Sequence, residues 1–202
     1  MKATLIDHTK LSNAVEGARV CYQSYHLGGN YEHPVDNITE ADKKLLERLI
    51  HKVHHYSIAR HIKYVVKVEG ISTKTLLALS RHQIGVDLSV MSSRFCKLDK
   101  FGANYTKTPN TYVNLLLEQH VQEIMELSSN YKVSAEDLAM LYPQAMQYDL
   151  MLTMNPQSLQ HFLDMRYGPD SHAHFDIQLL AEKLLEIVPE QHKFMYTIKE
   201  NK

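Results

Sequence analysis

The stretch His61-Ile62-Lys63-Tyr64-Val65-Val66-Lys67-Val68-Glu69 decides the fold class. Ile62, Tyr64, Val66 and Val68 alternate with His61, Lys63, Val65 and Lys67, the two-residue period of a strand with one face in a core and the other half-wet. The flanks repeat differently. Upstream, Thr39 caps an amphipathic helix in which Leu45, Leu46, Leu49, Ile50 and Val53 share the inner side and charges fill the other. Downstream, Ser72 starts another helix, with Leu76, Leu77 and Leu79 as core candidates, that runs out near Arg81–His82.

Further out the pattern continues in kind. Ala3 to Ile6 reads as a first strand, and Ser12 as the cap of a helix to about Gln23 with Ala14, Ala18 and Cys21 on one face. Gly28, Gly29, Asn30 and Pro34 make residues 26–37 a loop. On the other side, residues 85–93 read as a polar loop or short strand, and residues 101–109 as irregular. A long helix is expected over 111–129, and a short one that Ser134 caps and Pro143 stops. A strand follows over 147–154. Asn155–Pro156, a cap followed by proline at the first helical position, then opens a helix to Arg166. After a Gly-Pro loop, the last major helix starts at Ser171 and ends before Pro189. Many helices and few strands predict an α+β architecture. Neither βαβ alternation nor a glycine-rich phosphate fingerprint is present, which argues against a Rossmann domain.

Composition narrows the function classes. The chain has 202 residues, a net charge of -1, 44% apolar and 22% charged residues, an ordinary globular balance that suits one domain over 1–202. Near-neutral charge argues against a binder of nucleic-acid polymers, which needs a basic face. Arg19, Arg48, Arg60, Arg81, Arg94 and Arg166 are all its arginines, so any bound anion should be small. Cys21 and Cys96 make no disulfide framework, the N-terminus has no apolar signal core, and no apolar run is long enough for a membrane span; a cytoplasmic protein is expected.

Three stretches concentrate chemistry. His51 and His55, four apart, with His54 and His61 nearby, would share a helix face as two metal ligands do. A solvated helix end, where cations favour the dipole, explains them with less, and no metal is expected. Ser80-Arg81-His82-Gln83-Ile84-Gly85, followed by Ser89, Ser92, Ser93 and Arg94, gathers donors suited to phosphate, although polar loops often look alike. Asn155, Gln157, His161, Arg166, Ser171 and His172 could aim a cation at a ligand oxygen, or Arg166 could simply satisfy helix carbonyls. Cys21 reads as core, and Cys96 lacks an evident base.

Taken together, these stretches resemble the flavin-dependent thymidylate synthases. Ala18-Arg19-Val20-Cys21-Tyr22, His55-Tyr56-Ser57-Ile58-Ala59-Arg60-His61, Glu69-Gly70-Ile71-Ser72, Arg81-His82, Ser92-Ser93-Arg94-Phe95, Asn155-Pro156-Gln157-Ser158-Leu159 through Arg166, and Ser171 to Ile177 match family segments in the family's order, from Ala18 to about Tyr196. The resemblance implies a central, mostly antiparallel sheet flanked by helices. It also implies reductive methylation of dUMP to dTMP with FAD, with methylenetetrahydrofolate as carbon donor and NADPH as reductant, in homotetramers whose sites form between subunits. Residue by residue it assigns His55, Ser57, Arg81, His82, Gln83, Ile84, Asn155, His161 and His172 to the flavin. It assigns Ser92, Ser93 and Arg94 to dUMP, and Arg166 to the pyrimidine as the catalytic cation.

Departures from the family pattern qualify what it implies. Gln83 stands for a signature arginine, the loop from Gln83 to Ser92 is one residue longer, Arg60 stands for glutamate, Ala78 for glutamine, Ala139 for a basic residue and Gln157 for arginine. Arg60 is a candidate to replace the charge missing at Gln83. A flavin-dependent paralogue acting on another pyrimidine nucleotide, and a non-catalytic metal- or nucleotide-binding protein, are the alternatives.

Overall fold

The computed structural model describes residues 1–94 and 104–198. The elements follow the order β1 (Lys2–His8), α1 (Ser12–Tyr22), α2 (Glu40–Glu47), β2 (Tyr64–Ser72), α3 (Thr73–Leu79), β3 (Val86–Val90), α4 (Thr111–Asn130), α5 (Ala135–Ala139), β4 (Gln147–Met154), α6 (Pro156–Arg166) and α7 (Phe175–Glu186). A wide helical turn extends α2 through Arg48–Lys52, and tight 3-10 turns cover Tyr56–His61 and Glu190–Met195. The phenylalanine and cysteine at 95 and 96, like the irregular 101–109 stretch up to residue 103, lie outside the described residues.

The strands form one sheet in the order β1-β2-β4-β3, each neighbouring pair antiparallel, as expected for the α+β class. The deciding stretch is its centre: Tyr64, Val66 and Val68 of β2 oppose Met154, Leu152 and Leu150 of β4, and all are buried. The alternate positions carry Lys67, Glu69 and, on β4, Met151, which are partly or fully exposed. Period-2 alternation therefore buries one face, which α3 and α7 help to cover. Gly70 interrupts β2 with φ +75°, where a side chain would be strained, and its N–H donates to Asp149 Oδ1 at 2.9 Å.

Local caps set most helix starts. Thr39 accepts from Asp42 N, Ser72 from Thr75 N, Ser134 from Asp137 N and Asn155 from Ser158 N. The structure corrects four expectations. α1 has Leu11 at its N-cap, and Ser12 is buried inside the first turn, its hydroxyl accepting from Val35 N at 2.9 Å. Cys21 is exposed rather than core, because Ala14, Val15 and Ala18 define the buried stripe and Cys21 lies past its edge. Leu77 and Val53 are also exposed, at 53% and 54%. Ser171 does not start the last helix: its hydroxyl donates to Gly168 O in a tight turn, and His174 caps α7 instead. Among the described residues, no helix is long and apolar enough to cross a membrane.

Buried polar groups tie the layers. Arg19 and Asp42 form an ion pair with both side chains nearly inaccessible, and Tyr31 and Gly29 N also donate to Asp42. Asp176 at the start of α7 accepts from Ser72 and Thr75, fixing α7 to the β2–α3 corner. Each buried carboxylate has its donors, as the cost of an unpaired one requires.

Candidate active site

Sheet register builds one cleft. β3 and β4 are antiparallel neighbours with Val86 opposite Met154. The segment just before β3 and the helix just after β4 therefore meet at one end of the sheet. Gly85 takes φ +67°, and Asn155 N donates to its carbonyl at 3.3 Å. Ser158 Oγ donates to Ile84 O at 2.6 Å. A β-carbon at position 85 would overlap Asn155 Nδ2 and come within 2.7 Å of Ser158 Oγ, so this close approach needs glycine.

Between the two segments lies a cleft of about 570 Å³, lined by Arg81, His82, Gln83 and Ile84 on one side, and by Asn155, Gln157, Ser158, His161, Met165 and Arg166 of the cap and α6 on the other; Arg60 closes it. The spacing of α6 explains its share, since Gln157, His161 and Met165 recur every four residues along one face. Phe162 turns the opposite way into the core. His82 packs edge-on to Phe162 and His161, with ring centroids 5.0 and 5.7 Å away. Burial lowers its pKa, and the nearby Arg166 and His161 lower it further, so its imidazole is neutral at neutral pH. Arg166 Nε is buried without a hydrogen-bond partner among the described residues.

Of the residues singled out in the sequence, the cleft unites Arg81, His82, Gln83, Ile84, Asn155, His161 and Arg166. The others lie elsewhere. His55 packs on Tyr22, whose hydroxyl is 3.5 Å from its Nδ1, and Ser57 is exposed on the turn that follows. His172 is exposed, in a left-handed conformation at φ 49°. Ser92, Ser93 and Arg94 follow β3 at its far end: Ser93 hydrogen-bonds Tyr148, and Arg94 Nε pairs with Glu136 at 2.6 Å. The candidate metal pair separates, with His51 Nε2 2.7 Å from Phe194 O while His55 faces Tyr22.

Two features escaped sequence reasoning. Arg60 Nε donates to Gln157 Oε1 at 2.6 Å, so two departures from the family pattern are one contact. Both positions had stood out singly; 97 residues of separation hid the pairing. The second feature gathers His8, Asp36 and His192 from three distant segments, with no local motif to announce it.

Comparison with known proteins agrees with this architecture. The family model described as thymidylate synthase complementing protein matches residues 4–192, and the chain belongs to that family. It is 28% identical to a flavin-dependent thymidylate synthase of Campylobacter jejuni, over 97% of this chain and 96% of the relative. It is 26% identical to one of Wolinella succinogenes, over 98% of each. Its fold matches the crystal structure of Helicobacter pylori thymidylate synthase X complexed with FAD and dUMP, with a TM-score of 0.87 at 24% identity, over 98% of this chain and 100% of that one. It also matches the UMP/dUMP methylase PolB of Streptomyces cacaoi, with a TM-score of 0.68 at 18% identity, over 92% and 88%.

Proposed function

We propose that this protein is an FAD-dependent thymidylate synthase, converting dUMP to dTMP with methylenetetrahydrofolate as carbon donor and NADPH as reductant, in a homotetramer. The observation that carries the reading is the cleft joining Arg81 and His82 to Asn155, His161 and Arg166, in a chain that belongs to this family. The residues present fit a flavin nucleotide. The volume of about 570 Å³ is that of a small-molecule site, and Arg81 lines it with no ion-pair partner among the described residues, a cation left for the cofactor's phosphates.

In this reading Arg81, His82, Gln83, Ile84, Asn155 and His161 hold the flavin, and His55, Ser57 and His172 contact it from the surface segments. When bound, FAD supplies the hydride that reduces the transferred carbon. Arg166 sets a cation against the uracil carbonyl and stabilises the negative charge that develops as C5 becomes nucleophilic. His82, kept neutral by burial, contacts the ligand without adding a second charge beside Arg166.

Ser92, Ser93 and Arg94 take the dUMP phosphate. They do not line the cleft of their own chain, which supports a site completed between copies. Tyr112 and Leu116 on α4, exposed at 81% and 65%, with Val20 and Tyr22 on α1, offer apolar surface for that association.

The test is the visible spectrum of the purified protein after FAD addition and removal of unbound ligand, followed by dTMP formation from dUMP. A folded protein that keeps no flavin overturns the reading. Turnover of dCMP or UMP in preference to dUMP would favour the paralogue, for which the fold shared with PolB provides the motive.

A further inference from the structure

The cleft has an unusual charge inventory. Arg60, Arg81 and Arg166 line it with His82 and His161, and no carboxylate is among the described residues that do. Of the three arginines outside the cleft, Arg19 pairs with Asp42 and Arg94 with Glu136, while Arg48 makes no ion pair among the described residues. None of the cleft arginines makes an ion pair among the described residues. The three arginines repel one another until an anion enters.

Arg60 is the member with a defined pose. Its Nε is spent on Gln157 Oε1 at 2.6 Å, and its two terminal amino groups have no partner among the described residues. Gln157 sits in the first turn of α6, directly after the Asn155 cap and Pro156. The brace therefore holds the planar guanidinium at a helix N-terminus, where peptide dipoles also favour negative charge. A neutral amide suits this position because it orients the guanidinium without neutralising it, whereas a carboxylate would do both. The planar fork left over matches two oxygens of a phosphoryl group.

We propose that Arg60, braced by Gln157, is an anion subsite of the cleft that binds a phosphoryl group of the ligand seated there. The proposal deepens the thymidylate synthase reading and rests on it for the ligand's identity. The phosphoryl group comes either from the dinucleotide FAD or from the monophosphate of dUMP, which Arg60 would then share with Ser92, Ser93 and Arg94.

The test measures binding, not turnover, by calorimetry on the full chain with two matched pairs of ligands: FAD against riboflavin, and dUMP against deoxyuridine. Arg60→Ala should weaken the phosphate-bearing member of one pair by about tenfold to a hundredfold, the range for one charge-assisted hydrogen-bonded contact. Its phosphate-free partner should be unchanged, and the affected pair identifies the source. Gln157→Ala should show a smaller loss in the same direction. Gln157→Glu should weaken binding as Arg60→Ala does, because it pairs the charge internally. Arg60 is exposed, so unchanged thermal melting should confirm an intact fold. Equal loss for both members of a pair, or no loss in either pair, overturns the subsite. Should the wild-type protein bind neither FAD nor dUMP, the thymidylate synthase reading fails separately. Inorganic pyrophosphate then decides the subsite: saturable binding that Arg60→Ala abolishes supports it, and no binding overturns it.

Discussion

His192 Nε2 lies 2.9 Å from Asp36 Oδ1, across 156 residues of chain, with the imidazole wholly buried. Asp36 also receives Lys10 Nζ at 2.9 Å, His8 Nε2 at 2.9 Å and Leu11 N at 3.2 Å. On the other side of the ring, Tyr64 OH is 3.1 Å from Nδ1, and Tyr196 OH donates to Tyr64 OH. The 3-10 turn Glu190–Met195 is thereby pinned to the central strand and to the loop before α2. A neutral His192 satisfies every member, giving Nε2–H to Asp36 and accepting from Tyr64.

Acid should unlock this contact in two steps. Burial lowers the His192 pKa despite the attraction of Asp36, so the unfolded chain binds its proton more readily, and stability falls as pH drops below about 6.5. Burial pushes the Asp36 pKa upward, but the donors from His192, Lys10, His8 and Leu11 outweigh it and hold the carboxyl well below its ordinary value. Its contribution is full above the ordinary carboxylate range and is lost as pH falls through that range and below. Urea midpoints measured from pH 8 to pH 3 should decline across both windows. Asp36→Asn should flatten the lower one, and His192→Phe should cost about 1–3 kcal/mol at pH 7 by stranding its partners.

The Arg19–Asp42 pair makes the same kind of demand without a titration near neutrality. Gly28 and Gly29 leave no room beside it, since a β-carbon on either would come within 2.8 Å of the arginine side chain. Arg19→Ala should destabilise the fold by roughly 3–5 kcal/mol, because Asp42 is left buried and uncompensated. Chemical denaturation would show it. An unchanged midpoint would mean that water reaches the carboxylate.

At Arg166 the expectation is the reverse, activity lost and fold kept. Arg166→Ala should lower dTMP formation by about 10²–10³-fold or more, with the melting temperature nearly unchanged. Retained turnover would remove Arg166 from the catalytic role.

Gly85→Ala should disturb both. Its methyl would collide with Asn155, which caps α6, so a loss of about 1–3 kcal/mol and weaker flavin retention should appear together. Asn155→Ala, which removes the cap without the collision, should cost about 1 kcal/mol of stability and should also weaken flavin retention, since Asn155 lines the cleft. Flavin retention beside a normal melting curve in Gly85→Ala would show that the loop yields easily.

What the sequence made legible was local chemistry. The alternation through β2 and the caps Thr39, Ser72, Ser134 and Asn155 depend on neighbours a few residues away, and each appears where the pattern puts it. The helix faces were less legible. Leu77, Val53 and Cys21 look apolar in any window, and only the packing of each element on its neighbours shows that they face outward. The family segments lead to most of the cleft, where Arg60 and Gln83 both stand, but that Gln157 is the hydrogen-bond partner of Arg60 is not readable from the sequence. Long-range pairs such as this and His192–Asp36 have no periodicity to betray them.

The strand order also fixes a sequence of events. Among the described residues β3 pairs only with β4, and the chain from Met91 to Met146 must be made between them. Until β4 emerges, Arg81 to Gly85 has neither the register of Val86 opposite Met154 nor the Asn155 cap to lean on. On the ribosome, the loop from Arg81 to Gly85 waits as unanchored chain for the helix that shapes it, and the cleft comes into being only once α6 has been made. A chain lacking α6 would lack one whole wall of the cleft, from Gln157 to Arg166.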